Sequence, residues 1–119
     1  MNDRYLYRAK RTDNGEWITW NILTGIPHDA GILGDTVCAC TGLKDKNGKL
    51  IWENDIIVGN LDDEYPNDET YEKVIWHKSG FYTIEQGRDD VIELDDFTEQ
   101  NFEVAGNIFD NPELLEVGE

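Results

Sequence analysis

A hairpin at the N-terminus constrains this 119-residue chain more than any other feature of it. From Tyr5 to Arg11, apolar residues recur at odd positions and mostly charged ones at even positions. That period of two marks a half-buried strand. Asp13-Asn14-Gly15 follows, a triplet that tolerates positive φ, and Glu16 to Leu23 is then crowded with β-branched and aromatic residues. Two such runs around a turn of this chemistry read as a β-hairpin.

The same grammar recurs downstream. Thr36–Thr41 is a small-residue strand, Asn47-Gly48 a tight exposed turn, and Leu50-Ile51-Trp52 a return to the core. Glu53-Asn54-Asp55 is an acidic turn in which Asn54 suits a left-handed position, and it feeds Ile56-Ile57-Val58. Lys73–His77 and Phe81–Glu85 form a second hairpin around Lys78-Ser79-Gly80, and Val91–Leu94 adds a short strand. Asp95-Asp96-Phe97-Thr98-Glu99-Gln100 reads as one helical turn capped by an Asp, and Phe102–Phe109 closes the sheet with a bulge or kink at Gly106-Asn107. Asn111-Pro112-Glu113 places an N-cap residue, a first-turn proline and an acid in the order that opens a short C-terminal helix. Residues 24–36, with three glycines and a proline, read as a loop with a short edge strand, and the acid-rich stretch 59–72 as a long solvated loop.

The formal net charge of −16 is regional: residues 1–59 carry seven Lys or Arg against eight acids, and residues 60–119 three against eighteen. A field of that sign repels phosphate backbones and anionic lipid heads. Direct nucleic-acid binding is disfavoured outside the basic segment Arg4, Arg8, Lys10 and Arg11. No apolar run is long enough to span a membrane, and the N-terminus lacks the form of a signal peptide. Cys38 and Cys40, the only cysteines, are too few and too close for a disulfide framework. The expectation is a cytoplasmic protein.

Two blocks resemble a known family. Thr41-Gly42-Leu43-Lys44-Asp45-Lys46-Asn47-Gly48-Lys49, continuing through Ile51, Trp52, Glu53, Asp55, Ile56 and Ile57, is similar to the turn and strand of the YopX family. Val104-Ala105-Gly106-Asn107-Ile108-Phe109-Asp110-Asn111-Pro112-Glu113-Leu114-Leu115 resembles the motif that ends that family's chains. Tyr5-Leu6-Tyr7-Arg8 with Asp13–Trp17 also looks like one branch of it. This chain departs from the pattern at Asn54, where glycine is usual, at Cys38-Ala39-Cys40, and at Ala105, which leaves a smaller core side chain. The resemblance implies a phage or prophage accessory protein of mostly β structure, without catalytic residues to carry over. The strand order from Asp55 to Phe109 also looks like an SH3-like barrel, an analogy silent about ligand.

Zinc needs about four converging ligands, and Cys38, Cys40, His28 and His77 are the only soft or imidazole candidates; without a Cys-x-x-Cys or spaced His pair, the cysteines read as core and no metal or cofactor is expected. The neighbouring acids Asp62-Asp63, Asp89-Asp90 and Asp95-Asp96 point to opposite faces of a strand or into solvent, so they make no catalytic dyad. The 62–72 acids lack the ligand order of an EF-hand. Trp17 and Trp20, three apart on a strand, face opposite ways, and one of them is a candidate for a protein interface, where tryptophan is enriched.

The expected fold is mainly β, an N-terminal β-hairpin lobe (1–35) packed on a small SH3-like barrel (36–110), with a short C-terminal helix and tail (111–119), all within one domain. The expected function is non-catalytic, through a protein partner or self-assembly. The rival reading is an acidic nucleic-acid mimic that occupies a host DNA-binding protein.

Overall fold

The computed structural model describes residues 5–26, 31–60, 69–78, 80–85, 91–94 and 96–115. Strands β1 (Leu6–Lys10) and β2 (Trp17–Asn21) form the first hairpin, with Tyr7 opposite Trp20 and Lys10 opposite Trp17. After a 3-10 turn at Gly34–Thr36 come β3 (Cys38–Lys44) and β4 (Leu50–Trp52), and the four strands make one antiparallel sheet in the order β2-β1-β3-β4. The remaining strands are β5 (Asp55–Asn60), β6 (Glu69–His77), β7 (Gly80–Glu85), β8 (Val91–Glu93) and β9 (Phe102–Asn107). They make a second sheet in the order β8-β7-β6-β5-β9. A meander whose last strand returns beside the first, after a short helix α1 (Asp96–Asn101), has the strand order of an SH3-like barrel.

The division at residue 35 does not follow the sheets. Strands β3 and β4 belong with the N-terminal hairpin, because Tyr7 and Arg8 of β1 pair with Ala39 and Cys38. Trp52 and Asp55 end one sheet and begin the other, separated by Glu53 and Asn54. Asn54 is left-handed (φ 72°), as its residue type suggests. It donates to the Val74 carbonyl at 2.8 Å and accepts from Ile108 at 3.0 Å, so this one turn ties β6 to the segment after β9. The core unites both sheets: Ile51 of β4 packs with Ile57, Val74, Leu94 and Phe102 of the second sheet and its connections. Each such side chain contributes about 1.5–3 kcal/mol relative to exposure.

Several expectations need correction. Glu72 is not in a solvated loop but in β6, 2% exposed, where the Thr70 hydroxyl donates to its carboxylate at 3.2 Å. Burial pushes its pKa up despite hydroxyls from Thr83 and Thr70 that oppose the shift. The β9 irregularity lies one residue early: Ile56 pairs with Gly106 but Ile57 with Val104, leaving Ala105 as the extra residue. A bulged residue turns out of the ladder. Ala105 is therefore exposed and not a core position. The short C-terminal helix is present as expected, as a 3-10 turn over Pro112–Leu115. Asn111 does not cap it in the expected manner; its side-chain oxygen reaches back to the Asn107 N–H at 3.3 Å. Asp95, at the start of the expected helical turn, and most of the acidic loop lie outside the described residues.

That reversal gives Gly106 a reason. A Cβ there would lie 2.4 Å from the Asn111 side-chain oxygen and 2.9 Å from its Cβ. Gly106→Ala is expected to cost about 1–3 kcal/mol, the usual penalty of overpacking, read as a lowered urea midpoint. Combining it with Asn111→Ala should cost less than the sum of the two single changes, because the two closest clashes, with the amide oxygen and carbon, are removed.

Candidate functional site: an open aromatic cleft between the sheets

A charged junction sets how the sheets meet. Arg8 of β1 donates to Asp55 of β5 at 2.6 Å, and the other Asp55 oxygen accepts the Trp52 N–H at 2.8 Å. The guanidinium lies between two indoles, 4.5 Å from the Trp17 ring centre and 4.9 Å from that of Trp52. Asp55 is 2% exposed; burial outweighs the attraction of Arg8 and raises its pKa to about 6. Beside it, Asp110 accepts from Lys10, from the Trp17 indole N–H at 2.8 Å and from the Asn107 amide at 3.2 Å. Partial burial works against the Asp110 carboxylate, yet these donors hold its pKa at about 2.

Trp17 and Trp20 do face opposite ways. Trp17 is half-buried in the junction against Phe109, ring centres 5.9 Å apart, so its ring serves contacts within the chain. Trp20, also half-buried, stacks on Tyr7 at 6.3 Å and 21°. Tyr7 lines a cleft of about 350 Å³ together with Ala39, Cys40, Glu53, Trp76 and Phe81. The walls therefore come from both sheets, and Trp20 extends the aromatic wall that Tyr7 begins.

Trp76 explains why the cleft is open. It occupies the same face of β6 as Val74, which is fully buried, and Glu72. That face is the core face, yet Trp76 itself is 54% exposed. Its partner across the hairpin is Phe81, met edge to face at 5.0 Å and 78°. A second cleft of about 410 Å³ lies along the same pair and adds Leu43, Leu94, Tyr82 and Glu93. The core surface thus runs out into solvent as an aromatic ridge between two hollows. Sequence reasoning missed Trp76, Phe81 and Glu53. The signal was present in the series Glu72, Val74, Trp76 followed at once by the turn, which puts a large core-facing ring at the very end of its sheet.

The chemistry of the cysteines is equally plain. Cys38 and Cys40 are 1% and 2% exposed, and burial raises the Cys38 thiol above its ordinary value against a weak donor from Asn54. Such a thiol stays protonated at neutral pH and is a poor nucleophile. His77 packs edge-on against Tyr82 at 5.5 Å, and His28 lies outside the described residues. Among the described residues no three His, Cys, Asp or Glu side chains converge as a metal site, and no helix is long and apolar enough to cross a membrane.

The YopX protein family matches residues 3–116. This chain belongs to the YopX family. The match spans the junction, both sheets and the cleft, and it includes the turn and C-terminal blocks quoted above. The crystal structure of protein EF1440 from Enterococcus faecalis is similar to this chain at 25% identity, covering 92% of this chain and 96% of that one, with a TM-score of 0.56. No curated protein matches.

Proposed function

We propose that this YopX protein is a non-catalytic accessory protein of a phage or prophage, acting in the host cytoplasm through protein-protein contact at the cleft between its sheets. The observation that carries the reading is the exposure of Trp76 on the core face of β6. An exposed aromatic beside a hollow is the composition of an interface anchor, and a few such anchors dominate binding. Trp20 joins the surface through Tyr7, and Trp17 stays committed to the junction.

Trp76→Ala should abolish self-association or capture of a bacterial partner, while stability falls by at most about 1 kcal/mol, as for a largely exposed side chain. Light scattering, affinity capture and a urea melt on the same preparations read both effects. Retention of the same partners or the same oligomer by Trp76→Ala would overturn the reading. Loss instead on neutralising acids of the 89–96 run, with steep salt dependence, would favour the nucleic-acid mimic.

A further inference from the structure

We infer that the cleft takes the cationic side chain of a basic, extended segment in a protein partner, an arginine or lysine set against Trp76 and Phe81 and paired with Glu53. The inference rests on the cleft being an interaction site, as proposed above, and adds the chemistry of its occupant.

Three observations lead there. The first is the wall of rings: Tyr7, Trp76 and Phe81 line one hollow from two sheets, and the edge-to-face packing of Trp76 on Phe81 leaves ring surface uncovered. Aromatic faces attract cations, most strongly where water is partly excluded. The second is Glu53. Its Oε1 accepts the Ala39 N–H at 3.3 Å, which fixes the carboxylate at the cleft, and among the described residues it has no ion pair. Arg8 is ion-paired with Asp55 and with no other described acid. The third is the neighbouring hollow, where Glu93 stands beside the same two rings, likewise without an ion pair. No Lys or Arg lines either hollow among the described residues. An aromatic ridge with a carboxylate on each side complements a basic segment and repels an acidic one.

General attraction of any basic peptide to a chain of net charge −16 must be separated from this local site. The probe is acetyl-Gly-Arg-Gly-Lys-Gly-amide, with a control peptide carrying citrulline and norleucine in place of its two basic residues. Titration is followed by the indole N–H signals of the four tryptophans at fixed ionic strength, with Trp76 assigned through Trp76→Phe. The Trp76 signal should move saturably with the basic peptide and stay still with the neutral one. Glu53→Gln keeps an oxygen for Ala39 and should weaken binding about tenfold, as should Trp76→Ala. Glu113→Gln makes the same charge change on the exposed C-terminal turn and should leave affinity within about twofold.

A stationary Trp76 signal, equal binding of the neutral peptide, or equal weakening by Glu113→Gln and Glu53→Gln would each overturn the inference. Failure here combined with loss of partner or oligomer in Trp76→Ala would leave the interaction reading standing and remove only the basic occupant. Failure of both would remove the cleft as a site.

Discussion

Arg8→Ala will lower stability by about 3–5 kcal/mol, the cost of leaving one member of a buried ion pair uncompensated. Among the described residues Asp55 accepts only from Arg8 and the Trp52 N–H, and it is 2% exposed. The substitution also empties the space between Trp17 and Trp52, so the two sheets lose a filler as well as a charge. Arg8→Lys should lie between, because a lysine keeps the charge but lacks the planar group that stacks on both indoles.

The loss carries a pH signature. The Asp55 pKa, about 6, lies above its ordinary 3.8. Between those values the folded protein holds a proton that the unfolded chain has released, so this group favours folding most below about pH 4 and progressively less as pH rises through 6. Removing Arg8 takes away an attraction that lowers the value, and the folded-state pKa rises further. The penalty of Arg8→Ala should therefore be larger at about pH 8 than at about pH 5, in urea melts at both. A loss under about 1 kcal/mol at the higher pH would show that the pair does not hold the sheets together.

The sequence carried the strands well because their signals are local. Alternation from Tyr5, the Asp13-Asn14-Gly15 turn and Asn47-Gly48 each act within a few residues, and the structure places turns at both sites, with positive φ at Gly15 and Gly48. Asn54 was legible for the same reason. What failed was non-local. Glu72 looked solvated because it follows a run of acids, and only its pairing with Ile57 and Glu85 in a central strand buries it. The lobe boundary failed because β3 chose β1 across a connection of many residues, a pairing no local pattern announces. Asn111 carried a sound N-cap signal, but Gly106 offered its side chain a closer partner strand.

The functional site was illegible in a different way. Tryptophan content pointed to Trp17 and Trp20 because their spacing sends them to opposite faces, and that geometry is right. Which tryptophan is left uncovered depends on where the first sheet stops over the second, a property of two layers and not of one strand. Trp76 stands at the end of β6, paired across the hairpin with Phe81, and is 54% exposed. A reading limited to one strand at a time counts such a ring as core.

Asp45→Ala is the second large effect expected, and it tests why the turn block is built as it is. One Asp45 oxygen accepts the N–H groups of Asn47 and Lys49, both at 2.9 Å, which closes the turn at Gly48. The other accepts the Val104 N–H of β9 at 2.9 Å, fifty-nine residues away. A carboxylate at 5% exposure thus joins a hairpin of the first sheet to the last strand of the second. Burial alone would raise its pKa, but the three backbone donors and nearby Lys49 hold it below the ordinary carboxylate value. Truncation leaves three donors without that acceptor, at about 1–3 kcal/mol for each that stays buried, so a loss of about 3 kcal/mol is expected. Asp45→Asn keeps one accepting oxygen but turns the other position into a donor facing an N–H, and should fall between. Because the folded pKa is depressed, the stabilisation is present above the unfolded value near 3.8 and disappears as pH falls through the lower folded one. Wild type should therefore lose stability relative to Asp45→Asn only below about pH 4, the opposite direction to Asp55 and in a separate window. Thermal melts of both proteins between about pH 2 and pH 7 decide it: curves that stay parallel through the acid range would mean that Asp45 does not clamp the two sheets.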